Sequence, residues 1–301
     1  MGNNFKNMPL NQKARGLTAA ELAEYGAFPA GTLGLKWEEG DDNPDWIPQG
    51  ITSFQRDGQY VALISWYYKP PGSNHNKVRI SYLNRTPDAN GIYWYGHAYL
   101  SGEISRMHAG GLAFRYSRLY VAKTSYGVIS FDVLNPILKG DEWQIDQIDS
   151  YNLAAAIEDP TKKVFSFLDI DWTNNKLLSG VYATYSAQHN GTRFPAVHSW
   201  GFVNEVPVTQ DVEEHLKIQN EYSSRYRNLQ GVARYGSTWY YSQSHNKHSI
   251  RREIEGGTSS DIVHCDKGLE DLHITSTGNY LMGLTEHTGH KIVFQIDLRN
   301  L

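Results

Sequence analysis

The chain has a single cysteine, Cys265, in 301 residues. No disulfide framework and no cysteine-based zinc site can form within one such chain. Beside His264 and Asp266, Cys265 reads as a small strand residue rather than a nucleophile. No run approaches the 18 or so apolar residues that a membrane-crossing helix needs. The opening MGNNFKNMPLNQKARG lacks the apolar stretch of a secretory signal. Its Met-Gly start is not a myristoylation signal either, because Lys6 stands where Ser or Thr is required. No basic run occurs and the net charge is −4, so the electrostatic footprint of a nucleic-acid-binding protein is missing. G-x-S-x-G, P-loop, G-x-G-x-x-G and H-E-x-x-H motifs are all absent, which argues against the usual serine hydrolases, NTPases, dinucleotide enzymes and zinc proteases. The expected partner is a small molecule or saccharide, with no nucleic acid and no membrane. The compartment stays open, and the sequons at Asn84 and Asn190 matter only for a protein secreted by a eukaryote.

Aromatic residues are plentiful: 8 Trp, 20 Tyr and 10 Phe. They favour strands, and at surfaces they favour binding sites. With 40% hydrophobic and 20% charged residues, the composition is that of a soluble globular protein.

A short pattern recurs along the chain as PQGITSF (48–54), AGGLAFRY (109–116), FLDIDW (167–172), LQGVARY (229–235) and LEDLHIT (269–275). It aligns Gly50, Gly111, Asp169, Gly231 and Asp271. An aromatic, β-branched run follows each: YVALISWYY (60–68), RLYVAKTS (118–125), KLLSGVYATY (176–185), STWYYSQSH (237–245) and NYLMGLTEH (279–287). Third runs lie at 77–83, 127–133, 196–203, 248–254 and 290–298. Turn residues separate them and the period is two, as antiparallel meanders require. Five such meanders predict an all-β fold, a five-bladed β-propeller with a sixth, degenerate blade left open. The run TLGLKW (32–37) is expected to supply the fourth strand of the last blade, which removes exposed edges. Residues 1–301 read as one domain, with 1–31 an N-terminal extension. That extension carries a short helix, because Thr18 and Glu21 form a capping box. A second helix is expected around Val212–Gln219, and longer insertions at 135–163 and 204–228.

Antiparallel geometry puts the start of each first strand and the end of each second strand on one face. Gln49, His108, Asp169, Gln230, Glu270 and Asp271 come from the former. Trp66, Tyr67, Lys123, Tyr126, Tyr182, Tyr185, Gln243, His245, Glu286 and His287 come from the latter, and Trp66 and Tyr67 are expected to be exposed. Plain structural roles compete at each position: amides satisfying loop backbone, aspartates capping turns, a histidine bonded to the next blade. Read for chemistry, His108 is an acid or base, Glu270 its carboxylate partner, and His287 and Tyr126 position substrate. Gln49, Trp66, Tyr67, Lys123, Tyr182, Gln230, Gln243, His245 and Glu286 form the binding wall. Asp169, Glu270 and Asp271 are oxygen donors suited to a calcium ion in the channel. His245 and His248 flank a hairpin turn and are expected to point apart.

As a set, PQG, HAGG before GLAF, LYVAKTS, FSFLDIDW, LQG before TWYYSQSH, and LEDL before GLTEH resemble an uncharacterised family of bacterial, often secreted, propeller proteins over residues 46–298. Members often carry an export signal, which this N-terminus lacks. More distantly the plan is similar to the lactonase and strictosidine-synthase-like propellers. Those usually have six blades, and some hold a catalytic calcium through Glu, Asn and Asp. Here Gln49 and His108 take axial positions, so that ligand set does not carry over. The expected function is a small-molecule or saccharide-processing enzyme, a hydrolase, lyase or isomerase. The alternative is a lectin-like propeller that binds without chemistry.

Overall fold

Period-two runs closed by Gly, Asn and Asp turns become antiparallel strands. In the computed structural model, residues 4–70, 72, 77–106, 108–215, 228–244 and 248–301 are described. The protein is all-β, with several four-stranded antiparallel units consistent with propeller-like blades. The first unit runs Trp46–Arg56, Gln59–Tyr68, Val78–Asn84 and Ile92–Leu100. The second is Leu112–Arg115, Arg118–Lys123, Gly127–Phe131 and Gln147–Tyr151. The third is Phe167–Asp171, Lys176–Gly180, Val197–Val203 and Val206–Glu214, and the fourth Leu229–Tyr235, Thr238–Gln243, Ser249–Ile254 and Ser259–His264. Leu269–Ile274, Tyr280–Thr285 and Ile292–Asp297 make the fifth, and Leu33–Lys36 completes it by pairing with Ile292–Asp297.

One feature was not anticipated. Strand Gln12–Gly16 pairs with Leu33–Lys36 on one side and with Ile92–Leu100 on the other. It thereby merges the outer edges of the fifth and first units into one continuous sheet. Next to it the helix Ala19–Ala23 forms as expected: the Thr18 hydroxyl accepts from the Glu21 N–H at 3.2 Å, and the Glu21 carboxylate accepts from the Thr18 N–H at 2.8 Å.

Two local expectations fail. Residues 212–214 belong to the strand Val206–Glu214 rather than a helix, and 216–219 lie outside the described residues. The run 176–185 is not one strand: it stops at Gly180. Thr184 then caps a short helix, Tyr185–His189, by accepting from the Ala187 N–H at 3.1 Å.

The innermost strands adjoin one another in a cycle: first to second, second to third, third to fourth, fourth to fifth, and fifth back to first. The shared glycines let their backbones approach. A Cβ on Gly111 would lie 2.2 Å from the Leu168 nitrogen, and one on Gly231 2.5 Å from that of Leu272. Because backbone cannot swing aside as a side-chain tip can, Gly111→Ala is expected to destabilise by about 1–3 kcal/mol. A urea midpoint unchanged from wild type would contradict this packing.

Candidate functional site

At the end where the first strands begin, a cavity of about 300 Å³ opens. Gln49, Tyr67, His108, Tyr182, Gln230, Glu270 and Glu286 line it, together with Gly110, Thr124, Val164, Phe165, Ser166 and Arg193. Glu270 is its focus. Leu269–Ile274 carries this side chain to the cavity wall, where it is only 3% exposed. Gln230 Nε2 donates to its Oε1 at 2.9 Å. The carboxyl is also hydrogen-bonded to Glu286, whose Oε2 in turn accepts from Gln49 Nε2 at 3.3 Å. Burial pushes Glu270 well above the usual carboxylate range, and the neighbouring Glu286 and Asp271 push it the same way. Both effects favour the neutral form of Glu270.

Tyr67 forms one wall. Burial raises its hydroxyl, and the nearby Glu286 and Glu270 add to the effect. Its ring meets the exposed His108 edge-on, with centroids 4.6 Å apart. Tyr182 forms another wall, and its hydroxyl, also raised by burial, accepts from Asn228 Nδ2 at 3.4 Å. The cavity thus combines a buried carboxyl, an imidazole at the rim, two phenols and two amides.

The remaining expected residues are placed elsewhere. Trp66 is not exposed: it is fully buried, donates from Nε1 to Ser81 Oγ at 2.7 Å and packs edge-on against Trp37. Its strand is enclosed on both faces, so a strand-end aromatic here is core. Tyr67 is also buried rather than exposed, but it faces the cavity. Lys123 turns away, paired with Glu103 and lying 4.2 Å from the centroid of the Tyr126 ring, while Thr124 lines the cavity instead. Gln243 is buried within its strand, and His287 lies exposed with its ring 6.2 Å from that of His248. His245 lies outside the described residues, as does the hairpin turn it shares with His248. The Tyr185 side chain lies outside them too.

The proposed calcium ligands do not converge. Asp169 Oδ1 is bonded to His273 Nδ1 at 2.7 Å and its Oδ2 accepts from the Ile274 N–H. Asp271 Oδ2 accepts from the N–H groups of Ile51 and Leu112 at 3.2 and 3.3 Å. Glu270 faces Glu286 instead. Among the described residues no three His, Cys, Asp or Glu side chains gather as a metal cluster. Three of the four aspartate oxygens are taken by N–H donors, while Asp271 Oδ1 is buried without a hydrogen-bond partner among the described residues.

Sequence reasoning missed His273. Its Nε2 is 2.8 Å from Ser53 Oγ, so Ser53, His273 and Asp169 form a chain across three innermost strands. The order is that of a nucleophile, base and acid. His273 and Asp169 are fully enclosed, however, and the chain's evident role is to tie the first, fifth and third units together along the axis. Arg193 and Ser166 were also missed; both sit outside strands, where no period marks them.

No protein-family model matches the chain, and no curated protein does. Among solved structures, it is similar to a structural genomics protein of unknown function from Bacteroides thetaiotaomicron, at 10% identity and a TM-score of 0.44, covering 83% of this chain and 69% of that one. It is also similar to two computationally designed proteins. Ika4 is 13% identical with a TM-score of 0.32, covering 66% of this chain and 96% of that one. Ika8 is 12% identical with a TM-score of 0.32, covering 80% of this chain and 69% of that one. These likenesses assign no family.

Proposed function

We propose that the chain is a five-bladed β-propeller and an enzyme acting on a small polar molecule of the saccharide class at the mouth of its channel. The cyclic neighbour order of the five innermost strands supports the blade count. The observation that carries the activity is the hydrogen-bonded Glu270–Glu286 pair at the wall of a polar cavity. Hydrogen-bonded carboxyls are closer than the roughly 5 Å that a retaining glycosidase keeps between its two, and far closer than an inverting pair. The pair therefore suits proton transfer, as in elimination or isomerisation, better than glycosidic hydrolysis. Glu270 donates its proton to a substrate oxygen and is left as a carboxylate, while His108 at the rim takes a proton from substrate, so the two transfers leave the net charge of the site unchanged. Gln49, Gln230, Tyr67 and Tyr182 orient the ligand.

The second reading, a glycan-binding site without chemistry, rests on the Tyr67 and Tyr182 walls. Glu270→Gln separates the two. In a screen of uronates, sugar lactones and keto sugars, turnover should fall by about 10²–10⁴-fold on loss of the acid. A variant that binds a sugar as tightly as wild type, with no turnover in either protein, would establish the binding reading instead.

The same substitution tests the charge state. A carboxyl raised in the fold holds a proton that the unfolded chain releases above about pH 4.3. Its contribution is complete below that pH and is lost as pH rises towards the folded value. Wild-type melting temperature should therefore fall relative to Glu270→Gln between about pH 5 and 8. Parallel curves would show that Glu270 is not neutral.

A further inference from the structure

A second cavity, of about 360 Å³, lies at the opposite end of the innermost strands. Gln49 stands at the mouth while Ser53, Phe54 and Gln55 of the same strand line this lower cavity. At about 3.3 Å per residue, the two ends of that stretch are ~20 Å apart. The cavity is a cleft between the first unit, which supplies Tyr60 and Arg85, and the fifth, which supplies Leu33, Asn279, Tyr280 and Gln295. Its size is that of a small-molecule site.

Among the described residues Arg85 is the one charged residue in its lining, and no carboxylate faces it there. The guanidinium lies between two phenol rings, 5.8 Å from the Tyr60 centroid and 5.7 Å from that of Tyr280. One nitrogen, Nη2, donates to the Gln295 side-chain oxygen, while Nε is buried without a hydrogen-bond partner. Among the described residues Arg85 makes no ion pair, unlike its near neighbour Arg299, which contacts the same Tyr280 but is held by Asp297. Burial works against its charge. A half-buried guanidinium with no counter-ion is costly, and a planar anion that fills the cleft relieves that cost. The hydroxyls of Ser53, Thr275, Ser276 and Thr277 around it offer donors and acceptors to a polyol, and the tyrosine rings offer flat walls.

We propose that this cleft is a second ligand site, distinct from the mouth, that binds a small carboxylate bearing hydroxyl groups, with Arg85 as the carboxylate anchor. The planar fork of arginine matches a carboxylate through two parallel hydrogen bonds, and the amide and hydroxyl rim selects a hydroxylated body over a bare acid.

Calorimetric titration with glucuronate, glucose and inorganic phosphate tests it. Glucuronate should bind saturably, glucose and phosphate at least tenfold more weakly. Arg85→Met should weaken glucuronate by tenfold or more, whereas Lys139→Met, at an exposed position in neither cavity, should leave it unchanged. Gln295→Glu guards against misfolding of the arginine variant. It places a carboxylate against the intact guanidinium, and should raise the melting temperature while abolishing glucuronate binding. Phosphate binding tighter than glucuronate would overturn the carboxylate assignment. Loss of binding in Glu270→Gln but not in Arg85→Met would move the ligand to the mouth. Absence of saturable binding in the wild-type protein, or undiminished binding in Gln295→Glu, would overturn the site.

Discussion

Replacing His273 by alanine should destabilise the protein by about 3–5 kcal/mol, the usual consequence of removing one partner from a buried ionisable pair. His273 and Asp169 are fully enclosed, 2.7 Å apart, and Ser53 closes the chain at 2.8 Å. Burial already lifts the Asp169 carboxyl above its ordinary range, with His273 and the Ile170 and Ile274 N–H groups pulling it back. Without the imidazole that carboxylate has lost its main partner, and a void is left where the ring packed. Chemical denaturation measures the loss. Adding Asp169→Asn to His273→Ala should recover a large part of it, since a neutral amide tolerates burial better than an orphaned carboxylate. A loss under about 1 kcal/mol, below the range for breaking such a pair, would mean that this chain does not hold the axis together.

The second large effect is expected at Asp41. Its Oδ1 meets Arg79, and its Oδ2 accepts from the Tyr95 hydroxyl at 2.6 Å and lies 3.1 Å from His97 Nε2. Arg79 is 6% exposed and lies between the rings of Trp46 and Trp66. Asp41→Asn leaves that guanidinium buried with no counter-charge, at about 3–5 kcal/mol. The sign with pH follows from the carboxyl. Burial tends to raise it, but the His97 hydrogen bond and the Arg79 charge win and hold it well below the usual range. Stability from the pair is therefore present above the unfolded value near pH 3.9 and is lost as pH falls through the folded one. Wild type and Asp41→Asn should differ most near neutral pH and converge in acid. Denaturation curves with a constant gap down to about pH 2 would refute the ion-pair account, because the pair would then not be what the acid titrates.

The meanders were legible because each strand alternates and each turn carries its own residues. Four of the five second strands were placed to within their fraying ends. The exception, 176–185, ends at Gly180, and Thr184 then caps the helix Tyr185–His189; the Phe167 ring, from another strand, packs so close to Gly180 that a Cβ there would strike it. Trp66 and Tyr67 show the same limit. Adjacent residues on a strand point to opposite faces, and sequence alone does not say that both faces of this strand are covered. Of the expected site, Gln49, Tyr67, His108, Tyr182, Gln230, Glu270 and Glu286 line one cavity, because antiparallel geometry brings those strand ends to one face. His273 was passed over because it sits near the far end of its strand, away from the strand start, in a position that reads as core. Its partners Ser53 and Asp169 are mid-strand residues of two other units, and Arg85 likewise draws its surroundings from both ends of the chain.

The strand Leu33–Lys36 precedes the first unit in sequence and belongs to the fifth by hydrogen bonding, with Lys36 opposite Ile292. An open solenoid lengthens or shortens by whole repeats at either end. Here a further repeat placed after Asp297 would part the fifth unit from its fourth strand and force Gln12–Gly16 off one of its two neighbours. The number of repeats is thus locked by a strand that no single repeat contains. Variation in this architecture is left to the connecting segments, which can change without parting that strand from its neighbours.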